Sequence, residues 1–472
     1  MNLRFTIRAV TALACVAALA LPSLAAAAPG GPAAKKAPSG SLVQLGGAKG
    51  CVAGGGKPAP GCARARALRG PGAYVGSRAL AVSPDGRNLY VASSLSDAIT
   101  VFRRNQKTGV LSQPSGADGC VALEGANGCG TAVGLDAPNS VAVSPDGRTV
   151  YATARDSSSI AVFHRSPKTG RLTQLPGAEG CLTGLTVPGS PCGPGRALAG
   201  PDVVVVSPDG RNVYVGAFFG NAIVNFGVNP DTGGLTQLGG TAGCIAEGGA
   251  NGCTAGRALG SPEGMGISND GATVYVAAPA SGAVTILNRD VATGGLGQVT
   301  TEAGCIVAVP LSGCTTGVQM AGANAVAVSP RRGSVYVTSF TSNSVTSFAA
   351  ASGTLTQLEK TSACLVYLRA VGCSFARAMD APEGLVVSPD GRNVYTASIL
   401  SNTIGVLTRN PQTGAVVQIP GSHGCLGPKS LPGCTPARAT SGTGSIAVSP
   451  DGKFVYATAF ASSAVDVFRR VQ

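Results

Sequence analysis

The chain has 472 residues, of which 69 are glycine and none is tryptophan; 35 lysines and arginines against 22 acids give a net charge of +13. After the first 28 residues no stretch has the roughly 20 unbroken apolar residues of a membrane-spanning helix, and two histidines with cysteine pairs that lack C-x2-4-C spacing argue against zinc. An apolar fraction of 44%, rich in Val and Ala and without a long 3.6-residue period, favours strands.

The first element is a predicted secretory signal peptide over 1–28: Arg4 and Arg8, an apolar run from Ala9 to about Leu24, and small residues before Pro29. Cys15 lies inside that run, which continues well past it, so a cell-surface lipoprotein is disfavoured. An exported protein, extracellular or periplasmic, is expected. Residues 29–40, PGGPAAKKAPSG, read as a flexible linker.

From 41 to 472 the chain repeats itself. SPDG or a variant recurs at Ser83, Ser144, Ser207, Ser268, Ser329, Ser388 and Ser449, each followed by a tyrosine, at 90, 151, 214, 275, 336, 395 and 456. Every unit offers an apolar strand, the SPDG turn, a second strand, a Ser/Asn turn, a third strand, a turn with TG and a short fourth strand. Pro at the second turn position and Gly at the fourth suit a hairpin turn. Seven four-stranded antiparallel units predict an all-β fold, a seven-bladed β-propeller. SLVQLGG at 41–47 reads as a fourth strand and VDVFRR at 465–470 as a third, so the N-terminal strand should complete the last blade and close the ring.

Units such as VSPDGRNLYVASSLSDAITVF (82–102) and VSPDGRNVYTASILSNTIGVL (387–407) resemble the repeats of the lactonase-like propeller family and its YVTN-repeat relatives, the nearest local match being Tyr336-Val337-Thr338-Ser339. The resemblance spans all seven units. It implies the fold strongly and the activity weakly, because propellers carry enzymes, receptors and scaffolds alike.

Beyond Cys15, fourteen cysteines form one close pair per unit: Cys51 with Cys62, Cys120 with Cys129, Cys181 with Cys192, Cys244 with Cys253, Cys305 with Cys314, Cys364 with Cys373, and Cys425 with Cys434. Their placement, always between fourth strand and next first strand, predicts seven local disulfides and an oxidising compartment.

Strand direction puts the cystine loops and Ser/Asn turns on one face, around the mouth of the central channel. Five residues before each repeat serine stand Arg78, Asn139, Asp202, Glu263, Asn324, Glu383 and Gly444. Asn139, Asp202, Glu263, Asn324 and Glu383 could offer oxygens to Ca2+ or another divalent metal, or to a ligand. The P-[EDN]-G pattern, as in Pro262-Glu263-Gly264, is similar to the strand-start positions where gluconolactonase-type propellers hold a catalytic metal. The competing expectation is charge pairing, because Arg196, Arg257 and Arg377 accompany Asp202, Glu263 and Glu383, while Val133 and Val318 accompany the two asparagines. Arg66 and Arg438 fall outside that rule.

The resemblance also implies, for phosphate-processing lactonases, a histidine near the start of an inner strand, and no equivalent position here is histidine. His164 and His423 read as solvated loop residues. No catalytic residue is assigned. The expected function is a secreted binding or interaction module of the cell envelope or exterior; the alternatives are a metal-dependent lactonase-like hydrolase at the channel mouth and a structural component of an assembly.

On the opposite face, Arg103, Arg104, Lys107, Arg165, Lys168, Arg171, Arg469 and Arg470 are expected to form a basic patch over units seven, one and two. Such a patch would suit an anionic envelope polymer, a lipid surface or a protein partner. Nucleic acid is disfavoured by the lack of interleaved aromatic residues.

Overall fold

The computed structural model describes residues 37–56, 58–72, 78–186, 188–331, 333–351 and 353–472. The expected signal peptide, and the linker up to residue 36, lie outside them. Residues Ala37–Gln472 form one compact unit of seven antiparallel-based sheets, the seven blades that the repeats predict.

The second blade shows the plan. Pro138–Val143, Thr149–Ala154 and Ser159–Arg165 form an antiparallel meander, with Tyr151 opposite both Ala142 and Val162. The turn between the first two strands is fixed by its own sequence: Gly147 N–H donates to Ser144 O at 2.8 Å, and the Ser144 hydroxyl meets Asp146 Oδ1 at 2.5 Å. Gly147 has φ +72°, a left-handed conformation that glycine takes without cost.

Each sheet holds six strands rather than the expected four. The third strand is long enough that two short segments share its outer edge: Leu172–Gln174 pairs its last residues, and Cys181–Thr183 its first. A further pair, Gly193–Pro194, runs parallel to the cysteine strand.

The ring closes as the sequence predicts. Leu42–Gln44 and Cys51–Ala53 both pair antiparallel with Ala464–Arg470, so the two ends of the chain build one blade. All seven expected disulfides are present, with sequence separations of 9 or 11.

The core lies between blades rather than within them. Tyr90 and Val101 of the first blade pack in one cluster with Val150 and Phe163 of the second, and equivalent clusters recur around the ring. Six of the seven repeat tyrosines are among the largest fully buried side chains. Tyr90 O–H donates to Gly170 O of the next blade at 2.9 Å, satisfying its only polar atom in the core.

Among the described residues no helix is long and apolar enough to cross a membrane.

Candidate functional site at the channel mouth

Each inner strand begins in a way that fixes what it displays. Ala137, Ser261 and Ala381 have φ of +51°, +55° and +52°, uncommon for residues with a side chain. A side chain from the preceding blade's Ser/Asn turn holds each in place: Asp97, Asn221 and Asn343 accept from their backbone N–H groups at 2.9, 2.8 and 2.6 Å. Proline follows, then the candidate residue, then in two cases glycine. A Cβ at Gly264 would lie 2.3 Å from Asn324 O, and one at Gly384 2.5 Å from Gly444 O. The P-E-G pattern therefore records how closely one inner strand approaches the next.

The five candidates fall into two groups. Asn139, Asp202 and Asn324 are buried and bonded. Asn139 donates to Asp202 and accepts from Thr153 Oγ1 at 2.9 Å; Asn324 donates to Pro382 O at 3.1 Å and accepts from Thr338 Oγ1 at 2.8 Å. Asp202 receives Arg155 Nη1 at 3.2 Å on both oxygens. Glu263 and Glu383 are 7% and 2% exposed. Glu263 Oε2 and both carboxyl oxygens of Glu383 have no hydrogen-bond partner among the described residues.

The expected pairing of acids with Arg196, Arg257 and Arg377 does not occur. Those arginines reach outward to loop carbonyls: Arg196 to Gly252 O at 3.2 Å, Arg257 to Val299 O at 3.1 Å, and Arg377 to Gly421 O at 2.5 Å. Arg66 and Arg438 do the same, to Gly116 O at 3.0 Å and Gly47 O at 2.8 Å. One structural task thus explains all five, including the two with no acid to match. They staple neighbouring blades' loops, away from the channel axis.

Burial dominates the electrostatics of the mouth. It raises the Glu383 carboxyl to about 8. Burial and the neighbouring Asp202 and Glu383 charges raise Glu263 to about 9, against the opposing pull of Arg155. Asp202 rises only to about 7, because Arg155 and Asn139 offset part of its burial. Burial thus favours the neutral form of both glutamates, in which each can donate one hydrogen bond and accept others.

Arg78 crosses the channel to donate to Val326 O at 2.9 Å, and it lines with Glu383 and Ser445 a cavity of about 280 Å³. No group of three Asp, Glu, His or Cys close enough to hold a metal ion exists among the described residues.

The sequence reading missed three members of this rim. Arg155 lies over the rings of Phe218 and Phe219 at 4.3 and 4.8 Å, and Phe219 is 63% exposed. The available signal was positional: Arg155 stands four residues after its repeat tyrosine, where the other units carry Ser94, Phe218, Pro279, Phe340, Ile399 and Phe460.

The predicted basic patch is divided. Arg104, Arg165 and Arg470 are buried and paired with Asp451, Asp85 and Asp390 at 2.9, 2.7 and 2.7 Å, so they present no charge to a partner. Arg103, Lys107, Lys168, Arg171 and Arg469 are exposed.

The fold is that of a seven-bladed β-propeller. The family model described as "Lactonase, 7-bladed beta-propeller" matches residues 72–122, 128–180 and 194–311. Over those residues the chain is similar to the lactonase-like seven-bladed β-propeller family. A functionally unknown protein from Desulfotomaculum acetoxidans shares the fold, with a TM-score of 0.51 and 13% identity over 80% of this chain and 91% of that one. The periplasmic gluconolactonase of Pseudomonas aeruginosa superimposes with a TM-score of 0.49 and 20% identity over 71% and 82%. A candidate 6-phosphogluconolactonase from Bacteroides fragilis does so with 0.49 and 17% over 72% and 81%. No curated protein matches the sequence.

Proposed function

We propose that this protein is an exported binding module whose channel mouth takes a small, neutral, polyhydroxylated ligand. The observation that carries this reading is the pair Glu263 and Glu383, buried at the mouth with carboxyl oxygens that nothing in the described fold satisfies. Unsatisfied buried polar groups cost stability, roughly 1–3 kcal/mol each, and hydroxyl groups of a ligand would supply the missing partners. A neutral carboxyl is suited to an uncharged alcohol, donating and accepting at once. The exposed Phe219 beside Arg155 adds an apolar platform at the rim.

The test is a thermal-shift panel of neutral monosaccharides on wild type and on a Glu263→Met, Glu383→Met variant. Saturable stabilisation of the wild type that the double variant loses, at unchanged secondary structure, supports the reading; equal stabilisation of both sinks it.

A second reading, a lactone hydrolase, draws support from the family description and from Arg78 and Glu383 sharing one cavity. Proton release from glucono-δ-lactone, faster than the spontaneous rate and abolished in Glu383→Gln, would favour it over binding alone. In either case we read 1–28 as a signal peptide, 29–40 as a linker and 41–472 as the propeller, with disulfides suited to an oxidising compartment. The five exposed cations of the opposite face would support attachment to an anionic envelope polymer or lipid surface.

A further inference from the structure

Five of the seven blade junctions are locked by the same buried arginine, the last residue of a third strand. In the second blade Arg165 reaches back to the first: Nε donates to Tyr90 Oη at 2.8 Å, and Nη2 to Asp85 Oδ2 and Asn88 Oδ1 at 2.7 Å each, while Nη1 donates to Gly147 O of its own turn at 2.8 Å. Arg289 repeats the set on Tyr214, Asp209, Asn212 and Gly271. Arg104, Arg409 and Arg470 hold the other three junctions.

At the junction of the second and third blades the arginine is missing. Register shows the substitution directly: Arg165 pairs with Leu172 and Arg289 with Leu296, whereas Val228 pairs with Leu235. Of the receiving groups, the tyrosine, the aspartate and the turn carbonyl remain, as Tyr151, Asp146 and Gly210 O, while Thr149 stands where Asn88 accepts. Tyr151 still bonds Gly233 O at 2.9 Å, Asp146 keeps its turn geometry, and among the described residues it has no ion pair. Where the guanidinium would lie there is a cavity of about 590 Å³ lined by Asp146, Thr149, Tyr151, Gly210 and Val228. The other junction without the arginine, where Ala350 occupies its register position, also opens a cavity, of about 240 Å³, beside Asp270 and Tyr275. Cavities of this kind therefore coincide with the missing side chain.

We propose that the cleft between the second and third blades is a binding site for a guanidinium group supplied by a ligand. Asp146 would take its charge, and Tyr151 Oη and Gly210 O its remaining N–H groups, as their counterparts do for Arg165. The volume, within the roughly 300–1,000 Å³ of small-molecule sites, admits the group together with the chain that carries it. Exposed Arg148 and Arg211 at the rim suit a carboxylate at the ligand's other end. Arginine itself, or an arginine residue of a peptide, has this chemistry.

Isothermal titration of the whole protein with L-arginine and with acetyl-Gly-Arg-Gly-amide tests the site and separates its two sources. Saturable binding of free arginine alone assigns a small molecule, and binding of the capped peptide assigns an arginine residue on a chain. Citrulline, equal in shape but uncharged, should bind at least tenfold more weakly, as should either probe to Asp146→Asn, which keeps the turn oxygen. Val228→Arg should fill the cleft, raise Tm by several degrees and abolish binding. No binding of either probe, equal binding of citrulline, or unchanged binding to both variants would overturn the proposal.

Discussion

Glu383 provides a quantitative test of the mouth. A carboxyl whose folded pKa lies above its unfolded value takes up a proton on folding, so stability is fullest below the unfolded pKa and is lost as pH rises through the folded one. For Glu383 the window runs from 4.5 to about 8. At about 1.4 kcal/mol per pH unit, ionising it in place costs on the order of 5 kcal/mol, an upper figure reached only above pH 8. Glu383→Gln keeps the shape and removes the ionisation. Calorimetric Tm should therefore match wild type near pH 4.5 and exceed it progressively above pH 6, with most of the gain present by pH 8. A variant less stable than wild type above about pH 5, by a margin that shrinks as acid protonates the carboxylate, would refute the reasoning, since that is the mark of a carboxylate paired with a cation.

The arginine clasps carry a second prediction: Arg165→Met should lower stability by on the order of 3 kcal/mol, because Asp85, Asn88 and Tyr90 all lose a partner, and denaturant unfolding under non-reducing conditions would measure it. Burial acts against ionisation of Asp85, Asp390 and Asp451, but their serine and arginine hydrogen bonds hold them below 3.8. Stability present above pH 4 should thus fall as acid protonates them, and acid titration of Tm should show less of that fall in Arg165→Met. Thiol assay of the protein lacking residues 1–28 should find no free cysteine, and peptide mapping should recover only neighbours linked. Arg103→Glu with Lys168→Glu should weaken retention on an anionic polymer at low salt without changing Tm, whereas Arg104→Glu should lower Tm, because its charge would be buried.

Much of the architecture was legible in the chain because each unit repeats its own instructions. SPDG encodes a turn whose serine and aspartate bond each other, the tyrosine marks the inter-blade core, and 41–47 matches a missing strand. Strand number was not legible, since the sharing of one long edge by LTQ and the cysteine segment depends on the third strand's length. At the mouth, spacing marked Glu263 and Glu383 as candidates but assigned them the wrong partners. Sequence distance placed Arg257 and Arg377 beside them, yet those side chains leave radially toward the neighbouring blade. The same limit applied to Arg104, Arg165 and Arg470, which count as surface charge in a linear sum and are buried in three dimensions. Arg155 escaped notice because its role comes from a contact across blades, to Asp202.

The claim that matters most is that Glu263 and Glu383 stand neutral and unpartnered at the mouth at pH 7. Infrared difference spectra of wild type minus Glu263→Gln, Glu383→Gln test it directly. A positive neutral-carboxyl C=O band at pH 7, replaced by a carboxylate band above pH 9 and shifted by a bound sugar, is the predicted result; carboxylate signal alone at pH 7 would contradict it.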